Sequence, residues 1–104
     1  MIVVTTDSIE GKHVVKTLGL VRGSTIRARH IGRDVMASLR NIVGGEITDY
    51  TKMLAESREQ ALQRMVEQAE GMGANAILST RFVTSMVMSG AAELLAYGTA
   101  VEIK

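Results

Sequence analysis

Alternation of apolar and polar residues marks the first part of the chain as β-structure. Ile2–Val4 is a short β-branched run, and turn-forming residues follow it. A longer stretch, from about His13 to Ala28, is rich in Val, Thr and Ile and predicts one long strand. Glycine inside a strand often marks a bend, so we expect a bulge at Gly19 or Gly23.

The apolar spacing then changes to steps of three and four, which is the spacing of a helical face. One such stretch covers residues 31 to 43, and Gly44 follows where helices commonly end. The second begins near Thr48 or Asp49, either of which suits the N-cap position, and ends at Gly71 or Gly73. Its apolar stripe consists of Met53, Leu54, Ala61, Leu62, Met65, Val66, Ala69 and Met72.

The C-terminal part returns to a strand pattern, with Ser89–Gly90 as a plausible tight turn between two strands. The order β-β-α-α-β-β indicates an α+β fold, an antiparallel sheet with two helices on one face. No repeat or linker interrupts the pattern, so residues 1–104 are expected to form a single domain.

The last strand is apolar on both faces. One face carries Leu94, Ala96, Gly98 and Ala100, and the other carries Leu95, Tyr97, Thr99, Val101 and Ile103. A strand of this kind is normally buried on both sides, whereas the helices cover one side only. We therefore expect self-association to cover the second face.

Composition narrows the class of protein further. The net charge of +1 predicts neither nucleic acid nor an anionic membrane as a partner, and the absence of cysteine excludes disulfides and thiolate metal sites. No run approaches the ~18 apolar residues of a membrane span, and the N-terminus lacks the features of a signal peptide. The expected location is cytoplasmic.

Four side chains are candidate metal ligands. His13 and His30 lie at opposite ends of the long strand region and lack the spacing of a zinc pair, so structural roles are the more common interpretation. Met86 and Met88 are two residues apart in a strand, and paired thioethers can bind Cu(I). Packing in a core or an interface is the alternative for these methionines. A transition-metal ion is the cofactor that such ligands would hold.

Basic residues cluster before and within the first predicted helix: Arg22, Arg27, Arg29, His30, Arg33 and Arg40. They form a candidate phosphate-binding patch, which would make nucleic-acid affinity fall steeply with salt. No aromatic residue is interleaved with them, so base stacking lacks a platform. A solvated strand edge and helix face is the competing interpretation, and a small anion near the helix start is the more plausible ligand.

The joint between the predicted helices is a second candidate site. Asp34, Glu46, Asp49 and Tyr50 could form an acid–base group there, with Arg33 as an anion clamp. Each carboxylate also has a structural explanation, since Asp49 suits an N-cap and Asp34 suits the first turn of its helix.

Short segments along nearly the whole chain carry a family resemblance. They are Ile2–Lys12, Arg33–Asp34, Gly44–Glu46, Tyr50 with Leu54, Gly73–Ala76 and Gly98–Val101. In this order and spacing the chain resembles the uncharacterised YbjQ-like bacterial family, which is often labelled as heavy-metal-binding. Related chains often place acidic residues in the strand after Ala76–Ile77, where this chain has Ser79–Phe82. The resemblance therefore does not imply a binding site for a hard cation on that strand of this chain.

The resemblance implies a dodecin-like α+β subunit that assembles as a ring, with a pentamer as the expected size. Our leading hypothesis is a ring-forming homo-oligomeric binding module without catalysis of its own. It would hold a metal ion or another small ligand at a subunit interface, and the alternative is an enzyme with its acid–base site at the helix joint. The residues assigned to the ligand are Arg33, Asp34, Gly44, Gly45, Glu46 and Tyr50.

Overall fold

The structure is a computed structural model that describes residues 1–27, 47–88 and 91–104. These residues form four strands and one helix: β1 Ile2–Val3, β2 Val14–Arg27, α1 Ile47–Gly71, β3 Ala76–Met88 and β4 Ala91–Ile103. The strands form one sheet in the spatial order β1-β3-β4-β2. The long strands β3, β4 and β2 are antiparallel neighbours, and β1 runs parallel to β3.

The predicted arrangement β-β-α-α-β-β with an antiparallel sheet is wrong. The described part of the chain has the order β-β-α-β-β, and its sheet is mixed because Ile2 and Val3 pair in parallel with Ala76 and Ile77. Alternating hydrophobicity does not encode strand direction, so the partner of this two-residue strand could not be read from its sequence. The helix predicted at residues 31–43, Gly44 and the Ser89–Gly90 turn lie outside the described residues. The α+β class is unchanged.

The long second strand is confirmed, and so is a bulge at Gly19. The register of β2 against β4 shifts between Val14 and Lys16 and again between Thr17 and Gly19. Gly19 has a φ of 128°, in the region that favours glycine. The register runs on through Gly23 without a shift, so this second glycine has a different role.

Close contact between α1 and β2 explains Gly23. A Cβ atom on Gly23 would lie less than 3.0 Å from the backbone oxygen of Ala61, the backbone nitrogen of Met65 and the Cβ of Arg64. Only glycine therefore lets the helix backbone come this close to the strand. The core beneath the helix is small or aliphatic: Val21, Ala61, Met65, Ala69, Ile77, Ala96 and Ala100.

Hydrogen bonds at the C-terminus of α1 form a Schellman motif. The Ala74 N–H donates to the Ala69 carbonyl at 3.1 Å, and the Gly73 N–H donates to the Glu70 carbonyl at 3.0 Å. Gly73 has a φ of 87°, so the predicted helix end at Gly71 or Gly73 is confirmed. The predicted N-cap is wrong, because Thr48 and Asp49 lie inside α1.

The outer face of the sheet, away from α1, is covered at one end by the chain's own N-terminal segment. Val4 and Ile9 pack against a second apolar cluster made of Ala76, Leu78, Val101 and Ile103. The remaining part of this face is exposed and includes Leu20, Ile26, Val83 and Tyr97. The N-terminal segment therefore covers one end of the apolar outer face, and the rest of that face stays exposed.

Candidate functional site

Residues 82–88 of β3 pair with β4 on one side only. No strand in the described part of the chain pairs with their other side, which we call the open edge. The N-terminal segment accompanies β3 only as far as Thr80, whose N–H donates to the Val4 carbonyl at 3.0 Å. Phe82 is 46% exposed and Met86 is 73% exposed. The sequence FVTSMVM contains no charge and no proline, the residues that usually protect free edges. The open edge is therefore a candidate interface.

The opposite edge of the sheet, β2, is protected by side chains of α1. The Gln68 Oε1 atom accepts a hydrogen bond from the Arg22 N–H at 2.7 Å. The Arg64 guanidinium donates to the Ser24 carbonyl. These two contacts satisfy backbone groups that would otherwise be free to pair with another strand.

A row of three side chains crosses the exposed part of the outer face: Arg22 on β2, Tyr97 on β4 and Arg81 on β3. Strand register places Tyr97 directly opposite both arginines. We call these residues the arginine–tyrosine row. Arg22 and Arg81 are exposed, and Tyr97 is 36% exposed.

A bulge in β3 brings Arg81 into this row. Leu78 lies opposite Thr99 and Arg81 lies opposite Tyr97, so three steps along β3 match two along β4. Without the extra residue, the alternation of side chains would turn Arg81 toward the helix side. The bulge contains Ser79, a non-glycine residue with a φ of 54°. Its neighbour Thr80 is buried, with a hydroxyl that has no hydrogen-bond partner among the described residues.

Two backbone carbonyls fix the Arg81 side chain. Its Nη1 atom donates to the Thr5 and Thr80 carbonyls, each at 2.8 Å. Neither Arg81 nor Arg22 forms an ion pair with a carboxylate within the described ranges. The other N–H groups of Arg81 are thus available to a ligand on the outer face.

The N-terminal segment carries a shallow groove of about 450 Å³, lined by Val4, Thr6, Asp7, Ser8, Ile9 and Glu10. The Thr6 hydroxyl donates to the Ser8 carbonyl at 2.6 Å, which fixes the turn. The carboxylates of Asp7 and Glu10 are exposed. No group of three or more His, Cys, Asp or Glu residues gathers here or elsewhere in the described residues.

The two candidate metal ligands whose side chains are described, His13 and Met86, do not converge within one chain. His13 pairs its backbone with Lys104, whereas Met86 lies opposite Ala92 at the far end of β4. At ~3.3 Å per residue, the two positions are about 40 Å apart. A register shift lies between Met86 and Met88, so a spacing of two residues does not by itself place them on the same face of the sheet. His30 and the Met88 side chain lie outside the described residues. The donors described in one chain therefore do not fit a heavy-metal site.

Most residues predicted for the helix joint lie outside the described residues: Arg33, Asp34, Gly44, Gly45 and Glu46. The backbone of Asp49 and Tyr50 lies in α1, whereas their side chains are outside the described part of the structure. The acid–base group and the basic patch beyond Arg27 therefore stay predictions. Sequence reasoning included Arg22 in that patch but missed its partners Arg81 and Tyr97, because strand register is not a local signal.

Two of the segments that carried the family resemblance form one structural unit. Gly73–Ala76 joins α1 to β3, and Gly98–Val101 lies beside it in β4. The Asn75 N–H donates to the Val101 carbonyl, and the Asn75 side chain exchanges two hydrogen bonds with the Ile103 backbone at 2.8 and 2.9 Å. A Cβ on Gly98 would lie 2.7 Å from Ile77. These segments hold the fold together and do not themselves define a ligand site.

The fold and surfaces define a class: a small α+β domain with an exposed strand edge and an arginine-bearing sheet face. No helix in the described ranges is long and apolar enough to cross a membrane. The chain belongs to the YbjQ_1 family, described as "Putative heavy-metal-binding", which matches residues 1–104.

Similar proteins come from both bacteria and archaea. A UPF0145 protein of Methanosarcina acetivorans is 64% identical, over 99% of this chain and 97% of that protein. A UPF0145 protein of Clostridioides difficile is 58% identical, over 100% of this chain and 93% of that protein. The family relationship is thus shown, and the family named above as bacterial also includes archaeal proteins.

A solved structure is also similar to this chain. It is a protein of unknown function that belongs to the DUF74 family, from Pediococcus pentosaceus. The TM-score is 0.65 at 16% identity, and the match covers 100% of this chain and 98% of that chain. At this identity the likeness shows the fold alone.

Proposed function

We propose that the protein is a self-assembling binding module whose subunits join through the open edge of β3. The observation that carries the proposal is that no strand of the described residues pairs with the side of β3 that faces away from β4, while the apolar side chains of Phe82, Val83 and Met86 are exposed. Phe82 and Met86 together offer an apolar surface beside backbone groups that can pair with another strand. A second copy of the chain is the occupant, and a closed ring is the expected assembly.

The shape of the subunit supports this proposal. Its radius of gyration is 16.9 Å, whereas a compact domain of about 100 residues has a value near 13 Å. Its longest extent is 54 Å and its shortest is 18 Å. An extended sheet of this kind leaves much apolar surface in water unless neighbours cover it.

Alternation along β3 identifies which backbone groups can pair. The Thr80 N–H donates outward to Val4, and the Thr80 carbonyl accepts a bond from Arg81 on the same side. Because backbone groups alternate along a strand, those of Phe82, Thr84 and Met86 also point away from β4. Thr84 lies at the centre of this set and is the best position for a test.

Replacing Thr84 by proline is expected to break the assembly, because proline removes an outward N–H and keeps the bonds to β4. Multi-angle light scattering and native mass spectrometry should show an oligomer for the wild type and a smaller species for Thr84→Pro. A second variant, Met86→Lys, places a charge on the open edge without changing the backbone and should have the same effect.

Two controls separate assembly from folding. Thr84→Ala keeps the N–H and should assemble like the wild type. Met72→Lys adds the same charge at a partly exposed position of the loop after α1 and should leave the subunit number unchanged. A monomeric wild type at micromolar concentration contradicts the proposal, as does an oligomer that survives both Thr84→Pro and Met86→Lys.

The ligand of the assembly is a small molecule or a metal ion held between subunits. One chain does not bring the described donors His13 and Met86 together, so a heavy-metal site that uses these two donors has to combine several copies. We expect stoichiometric Zn²⁺, Ni²⁺ or Cu⁺ binding in the assembled wild type and none in Thr84→Pro, measured by elemental analysis after gel filtration. Equal binding in the two proteins would reject a shared site, and no binding in either would reject the metal version.

A further inference from the structure

The arginine–tyrosine row has features that packing alone does not explain. Arg81 reaches the outer face only because β3 contains a bulge, and that bulge holds Ser79 at a φ of 54°. Positive φ in a residue other than glycine is energetically unfavourable and persists where the surroundings impose it. Strain of this kind clusters at binding sites, so the position of Arg81 calls for a functional explanation.

Arg81 is also preorganised. Its Nη1 atom is held by the Thr5 and Thr80 carbonyls, so little rotamer freedom remains to be lost when the rest of the guanidinium binds a ligand. The Nε and Nη2 hydrogens remain, and they have the fork geometry that matches a phosphate or a carboxylate. Arg22 supplies a second positive charge two strands away, about 10 Å between Cα atoms.

The surroundings of the row are apolar. Tyr97 lies between the two arginines, and the neighbouring pair row on the same face contains Leu95 and Val83. Val83 is exposed and Leu95 is half-buried. An aromatic ring could stack on Tyr97 while a charged group on that ring meets a guanidinium.

We propose that the arginine–tyrosine row binds an aromatic phosphomonoester. The phosphate group is held by Arg81 with help from Arg22, and the aromatic ring lies against Tyr97 and Leu95. All of these residues belong to one chain, so the site does not rest on the proposed assembly at the open edge.

Phenyl phosphate is the probe, titrated into the wild-type protein in its native oligomeric state at low ionic strength. Isothermal titration and amide chemical shifts should show saturable binding, with the largest shifts near Arg81 and Tyr97. Arg81→Gln should weaken binding about tenfold or more, because a charge-assisted hydrogen bond is lost. Arg22→Gln should weaken it in the same direction by a smaller factor. Inorganic phosphate should bind more weakly than phenyl phosphate, and Tyr97→Leu should reduce that difference.

Arg58→Gln is the matched control, because it removes one positive charge from an exposed position of α1 away from the sheet. It should bind phenyl phosphate as the wild type does. The proposal is overturned if phenyl phosphate shows no saturable binding at millimolar concentration, or if Arg22→Gln and Arg81→Gln both bind unchanged. Equal weakening by Arg58→Gln would also overturn it, because the attraction would then be nonspecific.

Discussion

Gly23→Ala is expected to lower the free energy of unfolding by about 3 kcal/mol or more. The added Cβ would meet the backbone of α1 at Ala61 and Met65, and a helix backbone cannot move aside as a flexible side chain can. The helix would have to shift away from β2, which would loosen the buried packing of Val21 and Met65. Urea denaturation at one fixed protein concentration measures the effect, since the stability of an oligomer depends on concentration.

Gly71→Ala is the control for this substitution. Nothing lies within 4 Å of a Cβ at Gly71, and this glycine belongs to the last turn of α1. Alanine is the better helix former, so Gly71→Ala should leave stability unchanged or raise it by up to about 1 kcal/mol. If Gly23→Ala proved as harmless as Gly71→Ala, the close contact between helix and strand would be refuted.

Met65→Ala is expected to cost about 3 kcal/mol, through the loss of buried apolar surface and the cavity left behind. Met65 is 0% exposed and contributes the largest side chain at the centre of the cluster beneath α1. The surrounding alanines are too small to fill the space that it leaves. Denaturation curves should show a lower midpoint with an unchanged slope.

Met72→Ala makes the same chemical change where the side chain is 38% exposed. Solvent already contacts this methionine, so the expected loss is under about 1 kcal/mol. Comparable losses from the two substitutions would mean that Met65 is not at the centre of the core.

Helix α1 could be predicted well from the sequence, and the reason is its length. Many turns of apolar residues at steps of three and four define one buried stripe, and Gly73 supplies a clear end signal. Its start was predicted too late, because Thr48 and Asp49 suit an N-cap yet also tolerate the helix interior. Local signals for a helix start are weaker than the periodicity of the helix body.

Strand pairing was the part that sequence could not supply. Ile2 and Val3 form too short a run to indicate a partner or a direction, and their parallel pairing to β3 made the sheet mixed. The sequence did not indicate the bulge at Ser79, because a positive φ is normally signalled by glycine, as at Gly19. No local feature of the sequence therefore indicated that Arg81 and Tyr97 lie opposite each other.

The protected β2 edge restricts the symmetry of any assembly. A strand that added itself there would have to displace the hydrogen bonds of Gln68 and Arg64. Two subunits joined open edge to open edge would be related by a twofold axis, and the assembly would stop at a dimer. An odd-numbered ring, such as a pentamer, cannot be built from that isologous contact alone. It needs the open edge of one subunit to dock on a different surface of the next, so the measured subunit number also reports which kind of contact is used.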